Sequence, residues 1–150
     1  MRPTTRRLVL IAAPIFAVST VSLVLAVVFQ RPTQFDGSGD ANVTVGEAVG
    51  GGTATSIPPG PWVALAVFAF LARSRRWWGT LAVVVLCLLG GLFVTGAFGE
   101  AFAPSTPYVP RAVLVGAGVV YGVLGLSLVL SGIAELIDRA RARLRPSRVS

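Results

Sequence analysis

The chain has no histidine, no lysine and a single cysteine, and only 13% of its 150 residues are charged. With Cys87 alone and no histidine, one chain can close neither a disulfide nor a Cys/His metal cluster. Cys87 lies in an apolar run with no basic neighbour, which marks a small packing thiol rather than a nucleophile. Carboxylates are as scarce. Asp36, Asp40 and Glu47 share one polar stretch, Glu100 stands alone, and Glu135 lies near Asp138. No two are obviously juxtaposed for acid–base chemistry. The long apolar runs also lack an ionisable residue at mid-depth, where a proton- or ion-coupled transporter usually keeps one. The expectation is a chain that is not an enzyme and carries no metal or cofactor.

What the chain does have is apolar length. Hydrophobic residues make up 54% of it and the mean hydropathy is +0.78. That composition places it among integral membrane proteins, all-α, built as a four-helix transmembrane bundle in a single membrane domain over residues 1–150. The net charge of +7 would suggest nucleic acid on a soluble surface. Here the charge sits at the ends of apolar runs, so nucleic acid is not expected as a partner. The all-arginine basic set fits a GC-rich bacterial genome.

Four spans follow, at about 8–29, 58–74, 80–99 and 112–137, with an outer loop over 30–57 and a tail over 138–150. Leu8 to Phe29 is 22 uncharged residues, longer than the roughly 7–15 of a signal peptide's apolar core, so it is expected to stay as an anchor. Pro14 removes one donor from this helix and crowds the carbonyl of Leu10, and a kink is expected there. The second span is the shortest. Pro61 to Ala72 gives 12 residues, about 18 Å of helix, and a re-entrant segment is the alternative.

Arginine distribution decides between them. Arg73, Arg75 and Arg76 precede the paired Trp77 and Trp78, and Arg139, Arg141, Arg143, Arg145 and Arg148 crowd the tail. With four spans, eleven arginines against two acids leave +9 on the cytoplasmic side, and two arginines against four acids leave −2 outside. A re-entrant second segment would put both clusters outside, against the positive-inside rule. Both termini are therefore expected in the cytoplasm of a multi-pass plasma-membrane protein. Tryptophan suits the headgroup layer, and the arginines face an anionic inner leaflet, each contributing about 1 kcal/mol of attraction. Glu135 and Arg139, four residues apart on the emerging helix, are expected to pair weakly.

Small residues mark the expected helix contacts. Cys87, Gly91, Thr95 and Gly99 recur every four residues in the third span, and Gly118, Gly122, Gly125, Val129 and Gly132 follow a seam of period 3.5, made almost entirely of glycine, in the fourth. Close backbone approach is what brings helices together in lipid, where tails are as apolar as leucine. These stripes point to other membrane helices, of the same chain or a partner, as what the protein binds.

One loop motif competes for a chemical role. Asp36 to Glu47 places oxygen-bearing residues at positions 1, 3, 5, 7, 9 and 12 of a frame resembling the EF-hand calcium loop. Ala41 replaces the glycine at position 6, Pro32 precedes the frame and Gly50-Gly51-Gly52 follows it, so a flexible acidic loop is the better reading. Asn42-Val43-Thr44 also matches a glycosylation triplet, which has no meaning in a bacterial chain. A structural or interaction role, as accessory subunit or self-associating protein, is the leading expectation. An oligomeric pore or small-solute transporter is the alternative, and a membrane enzyme using the acidic outer loop comes third.

Overall fold

The computed structural model describes residues 3–29, 44–46, 50, 52, 58–102 and 110–144. The chain folds into helices throughout the described residues, without strands among them: α1 (Pro3–Val28), α2 (Pro59–Leu71), α3 (Trp77–Phe102) and α4 (Arg111–Leu144). Each start has a local cause. Pro3 and Pro59 occupy first-turn positions whose N–H would find no partner anyway. The Pro110 carbonyl accepts from Val113 N–H at 2.9 Å to open α4. α1 continues through Pro14.

α1, α3 and α4 are long and apolar enough to cross a membrane. Their outer surfaces carry large apolar side chains such as Val24, Leu88, Leu92, Phe98, Val119 and Leu130, each more than half exposed. A contiguous apolar exterior of this kind suits lipid rather than water. The result is a multi-pass membrane fold. The expected second span is shorter than predicted. α2 has 13 residues, about 20 Å at 1.5 Å per residue, against a hydrocarbon core of roughly 30 Å. Pro58 and Pro59 set its start, and a tight turn ends it, with Ala72 N–H bonded to Phe68 O at 2.8 Å and Ser74 N–H to Leu71 O at 3.0 Å.

α1 packs on α2 and α4, and α3 packs on α2 and α4, so the four helices close a ring. Every helix buries one narrow stripe of alternating three- and four-residue spacing. In α1 it is Thr5, Leu8, Ala12, Ile15, Ser19 and Ala26, and in α2 it is Trp62, Leu65 and Ala69, continued by Ala72 just past the helix end. In α4 it is Leu114, Gly118, Tyr121, Gly125, Leu128, Gly132, Glu135 and Arg139. A period of 3.5 keeps each stripe facing its neighbours along a shallow crossing, as in coiled coils. Leu8, Ile15, Leu65, Leu86 and Leu128 are fully buried and fill the centre.

α3 and α4 make the most intimate pair. A Cβ on Gly90 would lie 2.8 Å from the Gly125 carbonyl, and a Cβ on Gly125 would lie 2.7 Å from the Gly90 carbonyl. The two backbones therefore touch, which only glycine permits. One turn toward the arginine-rich end, Cys87 Sγ occupies the space a side chain at Gly132 would need.

Candidate functional site at the arginine-rich end

The first turn of α1, the end of α2, the start of α3 and the last turns of α4 meet at one end of the ring. There α4's buried stripe runs out of glycine and leucine and reaches Glu135 and Arg139. Arg139 Nε donates to Glu135 Oε1 at 2.7 Å, with the two side chains 10% and 0% exposed. Thr5 Oγ1, itself buried, donates to the same oxygen at 3.0 Å. The rest of the guanidinium reaches across the ring: Nη1 donates to Ser74 O at 3.2 Å and Nη2 to Ala72 O at 2.5 Å.

Those two carbonyls lie where α2 ends and helical partners run out. A cation is favoured there twice, by hydrogen bonding and by the negative end of the helix dipole. One arginine from α4 thus caps α2, while one glutamate from α4 ties down α1. Gly79 completes the fit. A Cβ there would collide with the Ser74 carbonyl and lie 2.9 Å from Arg139 Nη1. The turn stays tight through Arg76 N–H to Ser74 Oγ at 3.2 Å and Gly79 N–H to Arg76 O at 3.0 Å.

Sequence reasoning treated Glu135 and Arg139 as a weak pair on an emerging helix, and the structure corrects this. The pair is buried and joins three helices. The glycine seam read from the sequence, continued by its own alternation past Gly132, lands on Leu136 and then Arg139, whereas the buried line of the folded helix passes through Glu135 and Arg139. Thr5, Gly79, Thr80 and Gly90 carried no motif that would have singled them out.

The other expected residues divide by position. Gly118, Gly125 and Gly132 are buried in α4's stripe, Gly122 is half-buried with Ala97 Cβ 3.4 Å from where its own Cβ would stand, and Cys87 contacts α4 with Sγ 3.9 Å from Val129 O. Gly91, Thr95 and Gly99 lie off the α3–α4 contact: Gly91 and Gly99 have no atom within 4 Å of a would-be Cβ, and Thr95 is exposed, its hydroxyl turned back to Leu92 O at 3.0 Å. Arg73, Arg75, Arg76, Trp77, Trp78, Arg141 and Arg143 are exposed around the site. The indoles of Trp77 and Trp78 stack with centroids 3.5 Å apart, and Arg73 lies 5.4 Å over the Phe70 ring. Arg145 lies outside the described residues, as does the calcium-like frame 36–47 apart from 44–46. Among the described residues no cluster of three His, Cys, Asp or Glu could hold a metal.

No protein-family model, curated protein or solved structure matches the chain, so the reading of this site rests on its geometry.

Proposed function

We propose that the chain is a four-span plasma-membrane protein, with both termini cytoplasmic, that works by associating with other membrane helices. The four-pass topology is supported by the ties at the arginine-rich end. Thr5 of α1 bonds Glu135, and the α2 terminus bonds Arg139, so the start of α1 and the end of α2 lie at the same end of the ring. α1 and α2 must then run there and back. A helix of 13 residues crosses with local thinning of the bilayer, while arginines at its end snorkel to water. Eight described arginines flank this one end, which positive-inside bias assigns to the cytoplasm.

The interaction role is carried by one observation: small residues on a face of α3 that none of the described helices covers. Gly91, Gly96 and Gly99 have open space where a Cβ would stand, beside the self-bonded Thr95. A face of this kind lets a second helix approach closely in lipid. The packed leucine centre also favours this over conduction, since a pore would have to form between copies. The test is assembly size in gentle detergent. Gly91→Leu with Gly99→Leu should reduce a complex or homo-oligomer to the bare chain while its own thermal unfolding stays put. Assembly unchanged in mass would defeat the proposal, and solute flux in proteoliposomes would move the reading to a pore.

A further inference from the structure

Over the Glu135–Arg139 pair the helix ends leave a cleft of about 270 Å³, lined by Arg73, Arg75, Thr80, Glu135, Arg139 and Arg143 among others. That is near the lower edge of the roughly 300–1,000 Å³ typical of small-molecule sites. Four guanidiniums against one carboxylate leave +3 around it. Glu135 is engaged by Arg139 and Thr5. Arg73, Arg75 and Arg143 make no ion pair, and the Thr80 hydroxyl no hydrogen bond, among the described residues. Converging like charges repel, and an anion seated among them would relieve this with charge-assisted bonds.

A second feature says what carries the anion. An apolar groove of about 380 Å³ runs between α1 and α2, lined by Ala12, Phe16, Ala66, Ala69 and Phe70, and it ends at Arg73. Arg73 lines both spaces. A cationic cleft joined to an apolar groove fits an amphiphile with a charged head. The exposed, stacked Trp77 and Trp78 set the depth, since paired indoles belong at the headgroup layer.

We propose that the cleft binds the phosphate of an anionic phospholipid, with one acyl chain lying along the α1–α2 groove. The phosphate oxygens accept from Arg73, Arg75 and Arg143 and from the Thr80 hydroxyl, while Arg139 stays committed to the fold. Basic pockets between membrane helices on the cytoplasmic side are a recognised form of lipid site. The site rests on the membrane topology proposed above and is independent of any partner helix.

The test is native mass spectrometry of the full chain from neutral detergent, with phosphatidylglycerol or phosphatidylcholine added. One phosphatidylglycerol should stay bound in preference to phosphatidylcholine. Replacing Arg73, Arg75 and Arg143 together by Gln should cut its retention by about 100-fold, taking each arginine as roughly fivefold. The same replacement at Arg6, Arg7 and Arg141, which are exposed and line neither space, should change it by less than about threefold. Ala66→Phe, which alters no charge and fills the groove, should lower retention several-fold and guards against misfolding of the triple variant. Equal losses in the two triples, or no preference for phosphatidylglycerol, would overturn the site. Displacement by millimolar inorganic phosphate, with Ala66→Phe silent, would assign the cleft to soluble phosphate and overturn the lipid. The mass of the protein assembly in the same spectra reads the partner role separately from the lipid adduct.

Discussion

The contact between α3 and α4 and the contacts that hold α1 and α2 work by opposite means. α3 meets α4 through absence of side chain: Gly90 faces Gly125, Gly132 makes room for Cys87, and Gly122 comes near Ala97. α1 and α2 are held by side chains that reach out. Thr5 bonds Glu135, Ser19 meets the Tyr121 hydroxyl at 3.2 Å, Phe16 packs edge-on against Trp62 with centroids 5.0 Å apart, and Arg139 grasps the end of α2. The difference teaches where each half is vulnerable. Close packing fails when volume is added, whereas directional ties fail when a group is removed.

The largest effect is expected from removing a group. Glu135→Ala leaves the Arg139 guanidinium buried beside two carbonyls with no counter-charge, and frees Thr5. Breaking one side of a buried pair costs about 3 kcal/mol or more. The double change to Glu135→Met with Arg139→Leu should cost clearly less, because no orphaned charge remains, although the end of α2 then loses its cap. Unfolding midpoints in detergent would give both values. A double variant as damaged as Glu135→Ala would place the stabilisation in the carbonyl cap rather than in the pair.

The next effect comes from adding volume, and adjacent glycines supply the contrast. Gly90→Ala drives a methyl against the Gly125 carbonyl and Val129, and should destabilise by about 2 kcal/mol. Gly91→Ala meets nothing within 4 Å and should be neutral, or stabilising by up to about 1 kcal/mol through helix propensity. If both cost the same, the α3–α4 contact would not be the one described.

That pair of glycines also marks the limit of sequence reading. The four apolar segments and the arginine-bearing end were legible, because hydropathy and charge are local properties of the chain. The seam in α4 was nearly so: Gly118, Gly125 and Gly132 lie in it, and only the partners between them shift, to Tyr121 and Leu128 in place of Gly122 and Val129. In α3 a stripe of four-residue spacing picked out Cys87, Gly91, Thr95 and Gly99. The buried line instead follows Val83, Leu86, Gly90, Phe93 and Ala97, at period 3.5. Strict fours drift around a helix of 3.6 residues per turn, so such a stripe leaves the contact after one or two turns. Glycine identity does not say which of two neighbours faces inward. The Glu135–Arg139 clamp was illegible for a related reason. An i, i+4 pair near a chain end looks like surface, and only the docking of α1 and the α2 turn buries it.

The smallest effect is expected at mid-membrane. Hydroxyls there fall into two kinds. The half-buried Thr20 bonds back to Phe16 O at 2.8 Å within its own helix, whereas the fully buried Ser19 crosses to Tyr121 on α4. Interhelical hydrogen bonds in membranes contribute about 0.6 kcal/mol on average, since the separated helices find other partners. Tyr121 has further interactions, so Ser19→Ala leaves it engaged. The expected loss is therefore about 0.6 kcal/mol for Ser19→Ala and none for Thr20→Ala, read from reversible unfolding in mixed micelles. A loss above about 2 kcal/mol at Ser19 would mean that a directional tie is the main fastening of α1, as Glu135 is at the arginine-rich end. A loss near the expected value would leave Leu8, Ala12 and Ile15 to hold α1 by packing, bringing the two halves of the molecule closer in kind.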